Sequence, residues 1–67
     1  MNLIVNGKGG AYEESCRTVA DLLSRSEWAG RLVIVELNGE IVGKDVYEDT
    51  LLSEGDRVEL VHFVGGG

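Results

Sequence analysis

The residues best suited to covalent chemistry in this sequence are its barest ones, Gly65-Gly66-Gly67 after Val64. Glycine lacks a Cβ, so such a segment can thread a narrow channel and adopt dihedrals closed to other residues. At its tip the Gly67 α-carboxylate is shielded by no side chain. A carboxylate is a poor electrophile until one oxygen becomes a good leaving group. A partner enzyme that reached this end and activated it would turn it into an acyl donor. Terminal glycines alone also describe a frayed tail. What distinguishes these is that they follow a strong strand signal with no polar spacer.

The other candidates for chemistry are weaker. Gly7-Lys8-Gly9-Gly10 lacks the second gap of a dinucleotide fingerprint and the Lys-Ser or Lys-Thr pair of a phosphate loop. A strand rather than a helix follows it, so a hairpin turn is the better reading. His62 is the sole histidine, and a metal site would need two or three further nitrogen or sulfur ligands where the chain offers only Cys16. Nothing orients Ser15 or Cys16 toward His62 as a nucleophile–base pair. His62 is expected to pack at a sheet margin, and Cys16 to be a small semi-buried filler. The twelve acidic residues are scattered, with no pair set apart as general acid and base. These observations argue against an enzyme, a metal site and a resident cofactor.

Sixty-seven residues make one small domain, burying about 60% of the surface its unfolded chain exposes. The apolar content of 43% is ordinary for a globular protein. No apolar run approaches the ~20 residues that span a bilayer, and no basic segment leads into an apolar signal core. With a single cysteine, the domain must fold without an internal disulfide, as suits a reducing, cytoplasmic setting. The formal charge of −6 repels nucleic acid and anionic lipid and attracts a basic protein surface.

The elements that must position the glycine end can be read in order. Asn2 to Asn6 is a first strand with Leu3 and Val5 on one face, and Ala11 to Glu14 pairs back after the glycines. Thr18 is a helix N-cap, Asp21 sits near the positive end of the helix dipole, and Val19, Leu22 and Leu23 form the buried stripe. The helix is expected to end near Gly30, with Trp28 as a lid on the core. Leu32 to Leu37 is the strongest strand, Asn38-Gly39 a hairpin turn, and Glu40 to Val42 its return. An irregular stretch then carries Val46, Tyr47, Leu51 and Leu52, Glu54-Gly55-Asp56 turns, and Arg57 to Val64 is the last strand. Runs of strands with one segregated helix define an α+β domain. Its core is expected from Leu3, Val5, Val19, Leu22, Leu23, Val35, Leu37, Val58 and Leu60.

Taken together, these residues resemble the ThiS family, the sulfur carriers of thiamin biosynthesis. The resemblance is carried by Thr18-Val19-Ala20-Asp21-Leu22-Leu23, Leu37-Asn38-Gly39-Glu40-Ile41-Val42, Glu54-Gly55-Asp56-Arg57-Val58 and the final Val64-Gly65-Gly66-Gly67. It covers the whole chain, with departures at Gly43, where the family often has proline, and Tyr47, where it often has tryptophan. The resemblance implies a β-grasp, ubiquitin-like domain over 1–64, with a mixed four- to five-stranded sheet, one main helix and parallel terminal strands. Residues 65–67 would form a flexible glycine tail.

For function, the resemblance implies a carrier acted on by others. An adenylating enzyme related to ubiquitin-activating enzymes would adenylate Gly67. Sulfur-delivery proteins would supply a persulfide from a cysteine desulfurase system, and thiazole synthase would take the sulfur from the resulting thiocarboxylate. Gly65 and Gly66 are the tail. If Glu59 faces solvent, strand alternation puts Val61 and Phe63 outward too, and with Val64 these form the expected partner surface. Two alternatives stand beside this reading: a small subunit of molybdopterin synthase, and a ubiquitin-like interaction domain with no chemistry at its end.

Overall fold

The structure, a computed structural model, describes residues 1–25 and 27–62. Five strands form one mixed sheet: β1 (Asn2–Val5), β2 (Lys8–Ala11), β3 (Val33–Leu37), β4 (Glu40–Val42) and β5 (Arg57–His62). The spatial order is β2-β1-β5-β3-β4, with β1 and β5 parallel and the other pairs antiparallel. One helix, α1 (Val19–Leu23), and a 3-10 turn at Lys44–Val46 are the other regular elements among the described residues. The expected mixed sheet with parallel terminal strands is therefore present, with five strands.

Both hairpins turn on Asn-Gly. Asn6 and Gly7 have φ of 51° and 79°, and Asn38 and Gly39 have 50° and 88°. Positive φ at both central residues gives the type I′ turn, whose twist matches that of paired strands. This relocates the second strand. The turn uses only Asn6-Gly7, so pairing begins at Lys8 and takes in Gly9, Gly10 and Ala11. The expectation of a strand over Ala11 to Glu14 placed it three residues late, because the glycines were counted as turn. They lie instead in an exposed edge strand.

Helix α1 shows why its sequence starts where it does. The four N–H groups at a helix start have no partner within the helix. Here Val19 N–H donates to the Thr50 carbonyl at 3.0 Å and Ala20 N–H to the Tyr47 carbonyl at 3.0 Å. Asp21 N–H donates to the Thr18 hydroxyl at 3.1 Å, and Thr18 N–H to the Asp21 carboxylate at 3.0 Å. The stretch after β4 is thereby fastened to the helix start, and Thr18 also bridges to Leu51. The regular helix ends at Leu23, well before Gly30. At Ser24 the hydroxyl donates to the Asp21 carbonyl at 2.7 Å, a local bond that competes with helix continuation. Further turns, Trp28 and Ala29 N–H to the Arg25 carbonyl among them, carry the chain to Gly30.

The core lies between the sheet's inward face and α1. Leu3, Val5, Cys16, Val19, Leu22, Val35, Leu52, Val58 and Leu60 are buried, with Leu23, Trp28, Leu37 and Tyr47 packed partly buried against them. All nine expected core residues are in this body. Cys16, 2% exposed, is buried more fully than a semi-buried filler. His62 does not pack; it is exposed at the end of β5, opposite Val33. Among the described residues, no helix is long and apolar enough to cross a membrane.

Candidate functional site

The glycines singled out for chemistry follow β5 in the sequence. Gly65, Gly66 and Gly67 lie outside the described residues, as do Phe63 and Val64. What the structure gives is the platform that precedes them, and that platform is held from three directions.

At its start, β5 is registered against β1. The Glu54 carboxylate accepts from the Asn2 backbone N–H and from the Asn2 side-chain amide, both at 2.9 Å. Gly55 N–H donates to the Asn2 carbonyl at 2.8 Å, and Ile4 N–H to the Asp56 carbonyl at 2.9 Å. The two Asn2 donors hold the Glu54 carboxyl below its ordinary value. Along one edge, Asn6 N–H donates to the Val58 carbonyl at 2.8 Å, and the Asn6 side-chain oxygen accepts from Leu60 N–H at 2.6 Å. Along the other, the Asn38 side-chain oxygen accepts from Arg57 N–H at 2.9 Å, while its amide donates to Asp56 at 3.0 Å. The β3 ladder then runs from Leu37–Val58 to Val33–His62. A short strand of a small domain is thus fixed by both ladder and turn side chains.

The outward face of this strand is not apolar throughout. Val61 is 51% exposed and lies opposite Ile34; Glu59 is half-buried and lies opposite Glu36. Ile41 of β4, 75% exposed, lies opposite Glu36 on its other side. Sequence reading had Val61 and Glu59 on one face but missed Ile34, Glu36 and Ile41. Alternation within each strand was visible, whereas their adjacency depends on the register between strands.

Elsewhere the candidates stay apart. Cys16 is buried beside α1, where burial pushes its thiol pKa up, while His62 is exposed at the sheet end. A thiol so placed is a weaker nucleophile at neutral pH. The glycine-rich segment borders a hollow of about 400 Å³ between the first hairpin and Trp28, with Lys8, Tyr12 and Glu27 in its lining. Its backbone is strand, not an anion cradle at a helix start.

Among the described residues, a mixed five-stranded sheet with parallel terminal strands and one helix defines a small ubiquitin-like, β-grasp domain. Residues 4–67 match the ThiS family, and the chain belongs to it. It is 43% identical over 65 residues to the sulfur carrier protein ThiS of Bacillus subtilis (strain 168), covering 97% of this chain and 98% of that one. The crystal structure of the thiamine biosynthesis protein ThiS from Geobacter metallireducens superposes with a TM-score of 0.83 at 40% identity, covering all of both chains. The sequence is also 40% identical over 67 residues to the thiazole synthase of Paramagnetospirillum magneticum. There it covers the whole of this chain but only 20% of the synthase.

Proposed function

We propose that this chain is a sulfur carrier in thiamin biosynthesis, and that the Gly67 carboxylate is the group that carries the sulfur. The observation that supports the reading most directly is the joining of a rigidly held central strand to three glycines. A carrier needs a body that partners can recognise and an end that fits into their active sites. It needs no general acid or base of its own, so the chain is a substrate of enzymes and not one itself.

In this reading an adenylating enzyme binds the domain, and the Gly67 carboxylate attacks the α-phosphorus of ATP, releasing pyrophosphate. The acyl adenylate has AMP as a good leaving group. The terminal sulfur of a persulfide displaces it, giving an acyl disulfide that a thiol opens to the thiocarboxylate. Thiazole synthase is the proposed acceptor, supported by matches of this whole sequence to about a fifth of two such synthases, from Paramagnetospirillum magneticum and Magnetococcus marinus. Val61, with Phe63 and Val64 beyond it, forms part of the surface these enzymes read. ATP and persulfide donors are supplied in the cytoplasm, where a chain with one buried thiol is also at home.

Adenylation can be tested without sulfur. With the adenylating enzyme and labelled pyrophosphate, exchange of label into ATP is expected only when the carrier is added. Exchange that ignores the carrier would count against the reading.

A further inference from the structure

The free side of β2 carries backbone groups that the fold leaves unused. β2 is a terminal strand of the sheet and pairs with β1 alone. Tyr12 N–H donates to the Met1 carbonyl at 2.7 Å, and the Met1 amino group donates to the Tyr12 carbonyl at 3.1 Å. Such double exchanges recur at every second pair of an antiparallel ladder, here at Leu3–Gly10 and Val5–Lys8. Gly9 and Ala11, which lie between, therefore turn their N–H and C=O groups away from β1. No group among the described residues takes them.

An edge of this kind is a template for one more strand, and most proteins blunt theirs with charge, proline or a bulge. Gly9, Gly10 and Ala11 carry none of these. Alternation sets Lys8, Gly10 and Tyr12 on the helix side with the buried Leu3 and Val5, and leaves Gly9 and Ala11 on the outer side. Lys8 is the one charge on the strand, so it decides which pairing is tolerated.

This edge complements itself. With a two-fold axis at Gly10, Gly9 of each copy lies opposite Ala11 of the other. Four N–H···O bonds then form, and the two donors and two acceptors of each copy are all satisfied. Gly10 meets Gly10 in the closer kind of pair, with Cα atoms about 4.5 Å apart. No side chain crowds that contact, whereas a Cβ on Gly10 would already lie 3.5 Å from Tyr12 Cε1. The same register puts Lys8 opposite Tyr12 of the other copy, which the exposed Glu13 and Glu14 follow. Arg25 covers that ring at 5.4 Å from its centroid. The Lys8 stem therefore lies beside the ring, with its ammonium extended toward the carboxylates. Parallel pairing in register would instead set Lys8 beside Lys8.

We propose that β2 is a self-association edge, through which two copies pair antiparallel about Gly10 and join their five-stranded sheets into one. An extended segment of another protein satisfies the same backbone groups, but only a second copy brings Tyr12 and two glutamates to Lys8 by symmetry. β1 stands between β2 and β5, so the contact is two strands away from β5 in each copy. The inference does not depend on the carrier reading. Four residues per copy bury far less than the ~1,200 Å² of a stable interface, which puts the dissociation constant on the order of 0.1–1 mM.

The test is sedimentation of the whole chain from ~20 μM to ~2 mM, a range that brackets that constant, with amide NMR spectra of the same samples. Raised salt is used to screen the formal charge of −6 on each copy. The average mass is expected to rise toward that of a dimer, with the largest concentration-dependent shifts at the Gly9, Gly10 and Ala11 amides. Ala11→Pro removes an outward N–H, and Ala11→Lys sets two ammonium groups diagonally across the contact; each should weaken association about tenfold or more. Ala11→Lys, at an exposed site, carries the test if proline disturbs the strand. Ile41→Lys, on the opposite edge strand β4, should associate like the wild type. A chain that stays monomeric throughout would overturn the proposal. So would association that survives Ala11→Lys and is lost in Ile41→Lys. Shifts at Gly9 to Ala11 that arise only when the adenylating enzyme is added would give the edge to that partner and overturn the second copy as its occupant.

Discussion

Asn6 and Asn38 occupy the same position in two Asn-Gly turns, and each lends its side-chain oxygen to a backbone N–H of β5. Asn6 accepts from Leu60 at 2.6 Å and Asn38 from Arg57 at 2.9 Å. Each residue also holds positive φ, a conformation that asparagine tolerates better than most. One residue type therefore serves the turn and secures the central strand on both of its edges.

Replacing Asn6 by alanine should cost about 1–3 kcal/mol, because the partly buried Leu60 N–H loses its acceptor. Asn6→Gly keeps the turn conformation and isolates the lost bond. Denaturant melts give the stability change, and hydrogen exchange at Leu60 should accelerate in both variants. Protection at Leu60 that matches the wild type would show that the side chain does not hold the strand.

The helix start yields a second expectation. Thr18→Ala removes the hydroxyl that accepts from Asp21 N–H, which should cost about 1 kcal/mol. The Asp21 carboxylate completes a capping box, accepting from Arg17 and Thr18 N–H at 2.9 and 3.0 Å. Those bonds lower the Asp21 pKa, as the Asn2 donors lower that of Glu54. A carboxyl with a depressed folded pKa stabilises the fold above its unfolded pKa and loses that contribution as pH falls through the folded one. Stability should therefore decline from about pH 4 downward, and Asp21→Asn with Glu54→Gln should flatten the decline. An acid limb of the stability curve identical in the double variant would contradict this.

The Cys16 thiol should be inert in the folded state. It is 2% exposed, and burial raises its pKa. Reaction with a disulfide reagent should be slow and should accelerate in denaturant in step with unfolding. Fast labelling under native conditions would mean that the region beside α1 opens on its own. Cys16→Ala, if folded, should still accept sulfur at the chain end.

Much of this architecture was legible because local signals and burial agree. The Asn38-Gly39 turn, the Thr18 cap and the Val19, Leu22, Leu23 stripe each specify one conformation. The misplaced second strand shows where local reading fails. Gly9 and Gly10 have the composition of a loop, and only pairing with β1 makes them a strand. At the early end of α1 stands a Ser24 hydroxyl bond to the Asp21 carbonyl, a side-chain contact that apolar periodicity does not register. Of the platform, the alternation that faces Val61 outward was readable. The opposition of Glu36 and Glu59 was not, because they lie 23 positions apart in sequence and only the β3–β5 register brings them together.

The central claim, that the Gly67 carboxylate and no side chain carries the sulfur, is tested most directly by intact mass after incubation with ATP, the adenylating enzyme and a persulfide donor. The chain is compared with a variant bearing one alanine after Gly67. That addition moves the carboxylate by ~3.3–3.6 Å in an extended chain, where a misplacement of ~1 Å can already cost about a hundredfold. The account predicts that the unextended chain exchanges one oxygen for sulfur at Gly67, while the extended variant folds normally and stays uncharged. Equal charging of the extended variant, or sulfur found on Cys16, would contradict it.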